Sequence, residues 1–187
     1  NHDRGMKRAS TQPWRPTMEQ LSAAKGGRVP DVIAPGLRVL FCGINPGLYS
    51  AAIRHHFGRP GNRFWPVLHA AGFTPRLLTP FEERELLSLG CGVTNLYGGA
   101  TARADQIPGD ALHRGGRELE RKVRRCRPRF VAFLGVTAYR IALQRPDAQV
   151  GLQKERFGDA LAWVLPNPSG LNAHYQFKEL VRLFQEL

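Results

Sequence analysis

The sequence predicts an α/β fold, a three-layer α/β/α sandwich around a short parallel four-stranded sheet. Two observations predict it. Four short apolar runs alternate with segments in which apolar residues recur every three or four positions, the pattern of strands alternating with amphipathic helices. The length of 187 residues suits one domain with a sizeable core. Alternating strands and helices imply βαβ units with right-handed crossovers, and therefore a parallel sheet.

The elements follow one another regularly along the chain. The apolar runs predict strands at residues 38–45, 90–96, 130–135 and 160–167. The first 16 residues are polar and basic without periodicity, so we expect a flexible tail over 1–16 and a single domain over 17–187. A final amphipathic helix is predicted within residues 173–187, and the helices between the strands are expected to begin near Asn62, Pro80, Asp110 and Thr137.

Several classes of protein are excluded by composition. No apolar run approaches the ~20 residues that span a bilayer, and no signal-peptide pattern opens the chain, so we expect a cytoplasmic protein without a membrane partner. Three cysteines without CxxC spacing argue against a disulfide framework. Cys42 and Cys91 are expected to be buried because they lie in apolar runs. The histidines show no ligand spacing, so we expect no metal. We also expect no cofactor and a monomer.

The charge of the chain predicts a polyanionic partner. The formal net charge is +12 and the isoelectric point is about 10.6, which favours nucleic acid and a nucleoid-associated location. Residues 114–129 hold eight basic residues against two glutamates, and this segment is expected to be a solvated surface helix. No acid lies between Asp31 and Glu82, although that stretch contains Arg38, Arg54, Arg59, Arg63 and Arg76.

Polar turns follow each predicted strand. In open parallel sheets, ligands bind beyond the carboxyl ends of the strands. No P-loop, no GxGxxG fingerprint, no zinc-deaminase signature and no GxSxG elbow is present. The strand-end segments are instead rich in small residues, amides and hydroxyls, and they read GINPG (43–47), NLYGGATARAD (95–105), GVTA (135–138) and LPNPSGLNAHY (165–175).

Three segments of the chain carry a family resemblance. GINPG at 43–47, NRFW at 62–65 and NPSGLN at 167–172 resemble the uracil-DNA glycosylase superfamily and, within it, the mismatch-specific branch that includes thymine-DNA glycosylases. The resemblance covers residues 36–187. It implies the uracil-DNA glycosylase fold and a monofunctional hydrolase for base excision repair. Its substrate would be double-stranded DNA containing uracil, preferably in G:U mismatches, or a mismatched pyrimidine, and the target base would be flipped out of the duplex.

The resemblance assigns roles to individual residues. Asn45 would position the attacking water, and since an amide is not a general base, the enzyme should be slow. Gly47 lies where the efficient branch has a tyrosine that blocks the thymine methyl group, so the pocket should be open. Phe57 would stack on the flipped base. The remaining substrate contacts would come from Gly43, Ile44, Ser50 and Asn167, where the efficient branch has histidine at position 167.

The DNA contacts implied by the resemblance centre on the second motif. Leu171 would fill the gap left by the flipped nucleotide, and Ala173 stands where the branch often has arginine. Structural roles stay open for three residues: Asn45 as a turn former, Phe57 as a core residue and Leu171 as a hydrophobic staple of the last helix. The full set of implied DNA contacts is Arg59, Arg63, Ser169, Gly170, Leu171 and Asn172.

Asp105 is a second candidate catalytic residue, and its position in the sequence suggests it rather than the family resemblance. It is the only acid between Glu85 and Asp110, and it follows the second strand on the same sheet edge as both motifs. Its carboxylate could polarise the attacking water or stabilise a cationic sugar. Alternatively, Asp105 pairs with Arg103 or faces solvent.

Two other functions stay open at this point. The chain could be a non-catalytic nucleic-acid-binding module with an α/β fold. It could also hydrolyse free nucleosides, although the basic stretch disfavours this because a free nucleoside carries no phosphate.

Overall fold

The computed structural model describes residues 14–169 and 174–187. It confirms an α/β fold with a mostly parallel central sheet. The predicted count of four strands is wrong, because the described sheet has a fifth strand of two residues that pairs antiparallel with its neighbour. Two residues are too few to produce a periodic pattern. In chain order the strands are β1 (Val39–Gly43), β2 (Cys91–Asn95), β3 (Phe130–Leu134), β4 (Gly151–Leu152) and β5 (Leu161–Leu165), arranged β2-β1-β3-β5-β4.

The described helices include those that the sequence predicts and three that it does not. Residues 80–89 form a 3₁₀ helix rather than an α-helix, and a second short 3₁₀ helix covers Ala104–Gln106. The two unpredicted α-helices are the first two, each of six residues. The α-helices are α1 (Met18–Ala23), α2 (Leu48–Ile53), α3 (Phe64–Ala70), α4 (Gly109–Cys126), α5 (Val136–Ala142) and α6 (Phe177–Gln185).

The core consists of two apolar clusters, one on each face of the sheet. Successive side chains of a strand point to opposite faces, and β1 shows this alternation: Leu40 and Cys42 belong to the cluster under α4 and α5, whereas Phe41 belongs to the cluster under α3 and α6. Phe41 packs edge-on against the Phe64 ring at 5.6 Å. Helices therefore cover both faces, which gives the three predicted layers.

The start of α3 and the burial of two cysteines agree with the predictions. Phe64 and Trp65 are core residues, and the Asn62 side chain accepts the Phe64 N–H at 2.9 Å where α3 begins. Cys42 and Cys91 are free and buried, as predicted, and burial raises the pKa of both thiols. Both cysteines act as small hydrophobic residues. No helix within the described residues is long and apolar enough to cross a membrane.

Both edges of the sheet are covered by very short pairings. At one edge, Val32 forms an isolated antiparallel bridge with Val93 of β2. At the other edge, β4 pairs with β5 through Gly151 and Leu152 alone.

The register of β1 and β2 places the first two polar turns side by side. Gly43 pairs with Asn95, the last residues of their strands. The pairing continues past the strand ends, where Leu96 N–H donates to Gly43 O and Tyr97 N–H donates to Ile44 O. The GINPG turn and the 95–105 loop therefore leave the sheet together.

Candidate active site

A cleft of about 1170 Å³ opens beyond the carboxyl ends of the parallel strands. This is the edge where the sequence predicts a ligand. Every predicted site residue among the described residues lines the cleft, with the exception of Arg63. The lining residues that the sequence predicts are Gly43, Ile44, Asn45, Gly47, Ser50, Phe57, Arg59, Asp105, Asn167 and Ser169.

The orientation of the Asn45 amide is fixed by two acceptors. Its Nδ2 donates to Gly99 O at 3.0 Å and to Thr101 Oγ1 at 2.8 Å. Thr101 Oγ1 uses its own proton to donate to Arg103 O at 2.7 Å, so it can only accept from Asn45. A carbonyl is also only an acceptor. The amide nitrogen must therefore face the 99–101 segment, and Oδ1 is the atom left to accept a hydrogen bond in the cleft.

Phe57 is held in a strained turn at the wall of the cleft. Its φ of 52° lies in the left-handed region, which is rare for a bulky residue and tends to occur at functional sites. The Phe57 ring stacks on the buried Phe64 ring, with centroids 4.0 Å apart and planes inclined by 26°. Ser50 supports the turn, because its buried hydroxyl accepts the Gly58 N–H at 3.0 Å.

A buried histidine faces Asn95, which also lines the cleft. His56 Nε2 donates to Pro30 O at 2.8 Å, since a carbonyl can only accept. In the neutral ring Nδ1 is then an acceptor, and Asn95 Nδ2 approaches it at 3.5 Å. Burial lowers the pKa of His56 from its ordinary value of 6.5, and the nearby Glu83 opposes this shift. The ring therefore stays neutral and keeps Asn95 oriented with its nitrogen towards the histidine.

The two glycines of the first turn differ in the space around them. A Cβ built on Gly43 would lie 2.8 Å from Asn95 Oδ1 and 3.3 Å from the Phe57 ring, so this position has no room for a side chain. A Cβ on Gly47 would meet nothing within 4 Å. Gly47 precedes α2 and lines the cleft, so its missing side chain leaves the cleft open.

Arg63 does not line the cleft and instead bonds the backbone of the second motif. Its guanidinium donates to three backbone carbonyls, those of Pro168 at 3.3 Å, Ser169 at 3.1 Å and Tyr175 at 2.6 Å. These carbonyls lie on both sides of residues 170–173. Arg63 thus holds Pro168 and Ser169 of the second motif, and Tyr175 beyond it. The predicted DNA contacts Gly170, Leu171 and Asn172 lie outside the described residues.

Two comparisons with known proteins bear on this site. A solution NMR structure of a candidate uracil-DNA glycosylase from Methanosarcina acetivorans is similar, with 20% sequence identity and a TM-score of 0.55, over 86% of this chain and 96% of that chain. At this identity the likeness shows a shared fold. The family model of the uracil DNA glycosylase superfamily matches residues 30–187, most of the chain.

The chain belongs to the uracil-DNA glycosylase superfamily. Membership indicates a hydrolase that cleaves the N-glycosidic bond between a base and its sugar. The matched residues include the GINPG turn, the 95–105 loop and the second motif, which are the segments that build the cleft. Neither comparison distinguishes the mismatch-specific branch within the superfamily.

Asp105 lies at the rim of the glycosylase cleft. Its Oδ2 accepts from Arg103 at 2.6 Å, and its side chain is 63% exposed. The structure thus shows the ion pair that the sequence left open as an alternative, at a residue that also lines the cleft. Its catalytic role stays a prediction.

The sequence did not predict Thr101 and Asn95 as residues of the cleft. Both lie in the polar strand-end segment 95–105, which was a signal that could have identified them. The cleft wall formed by Met18, Leu21 and Ser22 of α1 was also missed. Its signal was the capping box of Thr17 and Gln20, in which each side chain bonds the other's backbone N–H. Within the described residues, no group of three or more His, Cys, Asp or Glu is arranged to hold a metal.

Proposed function

We propose that this chain is a monofunctional glycosylase that removes uracil from double-stranded DNA, preferably opposite guanine, and leaves an abasic site. The observation that carries the proposal is the fixed Asn45 amide, with Oδ1 directed to the cleft at the end of β1. An acceptor held at this point can orient a water molecule for attack on the sugar carbon. Positioning of this kind contributes to catalysis without a proton transfer to the protein.

The chemistry expected from Asn45 is slow. General-base catalysis is typically worth ~10²–10⁴-fold, and an amide cannot supply it. The remaining contributions are the orientation of the water and electrostatic stabilisation of the departing uracil anion. A G:U mismatch is easier to open than a matched pair, so flipping the base costs a slow enzyme least free energy at such sites.

The flipped base would lie between Phe57 and Asn95. Phe57 has one face against Phe64, and the opposite face is available for a base in the cleft that Phe57 lines. The Asn95 amide, oriented by His56, would bond the polar edge of the pyrimidine. The open space at Gly47 supports tolerance of a methyl group on the ring, and therefore of thymine and other substituted pyrimidines.

Asp105 is proposed as the carboxylate that assists Asn45. It lies four residues beyond Thr101, which holds the Asn45 amide, and its pairing with Arg103 places it at the cleft rim. A carboxylate there can stabilise positive charge that develops on the sugar as the base departs. The proposed DNA contacts are Arg59 and Ser169 at the cleft, with Leu171 as the wedge in the duplex.

The proposal is tested with end-labelled duplexes that contain uracil opposite guanine or adenine, and with the single strand. After incubation, alkali cleaves the strand wherever a base has been removed. We expect scission only after alkali, fastest for the G:U duplex. Scission without alkali would contradict a monofunctional enzyme, and tight binding without scission would identify a binding module.

The Asn45→Ala variant is the matched control for this assay. Under single-turnover conditions with saturating enzyme, its excision rate should fall more than its affinity for DNA. An unchanged rate would remove Asn45 from the mechanism.

A further inference from the structure

The outward face of α4 carries a row of arginines that form no ion pair within the part of the chain that the structure describes. Arg117, Arg121 and Arg125 are four residues apart, so they lie on one side of the helix. All three are exposed, and none forms an ion pair with any residue that the structure describes. We call them the arginine stripe. The neighbouring Arg114 and Arg124 differ, because Asp110 neutralises the first and Glu120 with Asp159 the second.

The fold does not explain the arginine stripe. The helix is held on the sheet by its buried face, which includes Leu112, Leu119 and Val123. Like charges at this spacing repel each other and oppose helix formation. A polyanion bound along the stripe would supply the ion pairs that none of the described residues forms with these arginines.

The arginine stripe is separate from the cleft. α4 begins at Gly109, shortly after Asp105 at the cleft rim, and leads back to the start of β3. It therefore runs from the carboxyl ends of the parallel strands towards their amino ends. At a rise of 1.5 Å per residue, the stripe lies about 12 to 24 Å along the axis from Gly109. None of its three arginines lines the cleft. The arginine stripe is therefore not part of the cleft.

The chemistry of the face favours the backbone of a nucleic-acid duplex. An anionic membrane surface would require exposed apolar residues beside the cations, and α4 exposes only polar and charged residues. A single strand would require aromatic residues for stacking, and α4 contains no Phe, Tyr or Trp. Three guanidinium groups about 6 Å apart along a straight helix can instead bond successive phosphate groups of a duplex.

We infer that the arginine stripe binds the backbone of a second DNA duplex segment while the cleft holds the first. One molecule would then bridge two DNA segments. The inference rests on the proposed function only for the choice of DNA as the polyanion.

The test compares two triple variants with the same loss of charge. The first is Arg117→Ala with Arg121→Ala and Arg125→Ala. The control is Arg76→Ala with Arg156→Ala and Arg182→Ala, which removes three exposed arginines that bond within the protein and lie outside the cleft. Alanine favours the helix, so the first variant should fold, and its melting temperature is measured alongside.

The main readout uses uracil-free DNA and does not depend on excision. Protein is bound to an immobilised duplex, and the capture of a second, labelled duplex is measured. The wild type and the control should capture the second duplex, and the stripe variant should capture at least tenfold less. The affinity for the second duplex should also depend less on salt in the stripe variant alone. The slope of its logarithm against log salt should be shallower by about 2.7, which is about 0.9 for each phosphate that the variant no longer neutralises.

The outcomes separate this inference from the proposed function. Equal capture by the stripe variant and the control, or no capture by the wild type, would overturn it and would favour an acidic protein as the partner. Loss of capture with single-turnover excision within about twofold of the wild type would support it. If the wild type bridges duplexes through the stripe but excises no uracil, the proposed function fails and the inference stands.

Discussion

Thr101 and the Gly99 carbonyl together determine which atom of the Asn45 amide faces the cleft. The Thr101 hydroxyl donates its proton to Arg103 O, so its oxygen accepts from the Asn45 nitrogen, as Gly99 O does. The Thr101 side chain never needs to touch the substrate. It acts as a positioning residue for Asn45.

The Thr101→Val variant should therefore slow the chemical step. Valine keeps the shape of the side chain but removes one of the two acceptors, so Gly99 O alone holds the Asn45 nitrogen and the amide is less firmly oriented towards the water. We expect single-turnover excision to fall at least tenfold, about 1.4 kcal/mol, with a smaller change in DNA affinity. Thr101→Ser is the control and should retain most of the rate. Equal rates for the valine and serine variants would show that the hydroxyl has no part in positioning.

Asp105 is tested by a pair of variants that separate its charge from its ion pair. Asp105→Asn removes the carboxylate and should lower single-turnover excision of uracil at least tenfold, or about 1.4 kcal/mol. Arg103→Ala removes the partner but leaves the carboxylate at the rim, so excision should be much less affected. If both variants excise at the wild-type rate, Asp105 is a surface residue and Asn45 acts without it.

His56 should make stability depend on pH. Burial lowers the pKa of folded His56 below 6.5, whereas the unfolded chain takes up a proton near pH 6.5. Unfolding then binds a proton, so the free energy of unfolding should fall as the pH drops below about 6.5. His56→Gln keeps a donor for Pro30 O but cannot titrate. Urea unfolding of both proteins from pH 8 to 5 tests this, and parallel stability curves would contradict it.

At the scale of elements, the position of α4 depends on a close approach to β2. A Cβ on Gly115 would lie 2.0 Å from Leu96 O, at the point where β2 leads into the loop that carries Thr101 and Asp105. A Cβ on the adjacent Gly116 would make ordinary van der Waals contacts, the nearest at 3.5 Å. Gly115 therefore has no room for a side chain, whereas Gly116 does.

Gly115→Ala and Gly116→Ala should change stability in opposite directions. Overpacking typically costs about 1–3 kcal/mol, so Gly115→Ala should lower the melting temperature by several degrees. Gly116→Ala adds a better helix former without a clash and should stabilise by up to about 1 kcal/mol. Thermal unfolding followed by circular dichroism measures both, and shifts of the same sign and size would contradict the close approach.

The sequence predicted elements with a clear apolar pattern better than elements without one. The four parallel strands of five residues each were found as continuous apolar runs, and α4 was found because its apolar residues recur over several turns. α2 and β4 have six and two residues, and their formation depends on the elements they pack against. For the same reason, the polar strand ends predicted the cleft but not the contact between Thr101 and Asn45, which depends on how the 95–105 loop folds back.

At the scale of the whole molecule, the net charge of +12 predicts steep salt dependence of DNA binding. Three phosphate contacts or more give a slope of log affinity against log salt steeper than about −2.7, a loss of ~40-fold between 50 and 200 mM salt. Fluorescence anisotropy with a uracil-free duplex measures it. Single-turnover excision by saturating enzyme should change little over the same range. A flat salt titration would contradict the DNA partner.

The short pairings at the two sheet edges have a consequence for aggregation. An exposed strand edge can pair with the edge of another molecule, and DNA concentrates bound protein locally. The Val32 bridge occupies part of the β2 edge, and β4 occupies part of the β5 edge, so little continuous edge remains for a second sheet to extend. Many copies can thus crowd along one DNA molecule without joining into an intermolecular β-sheet.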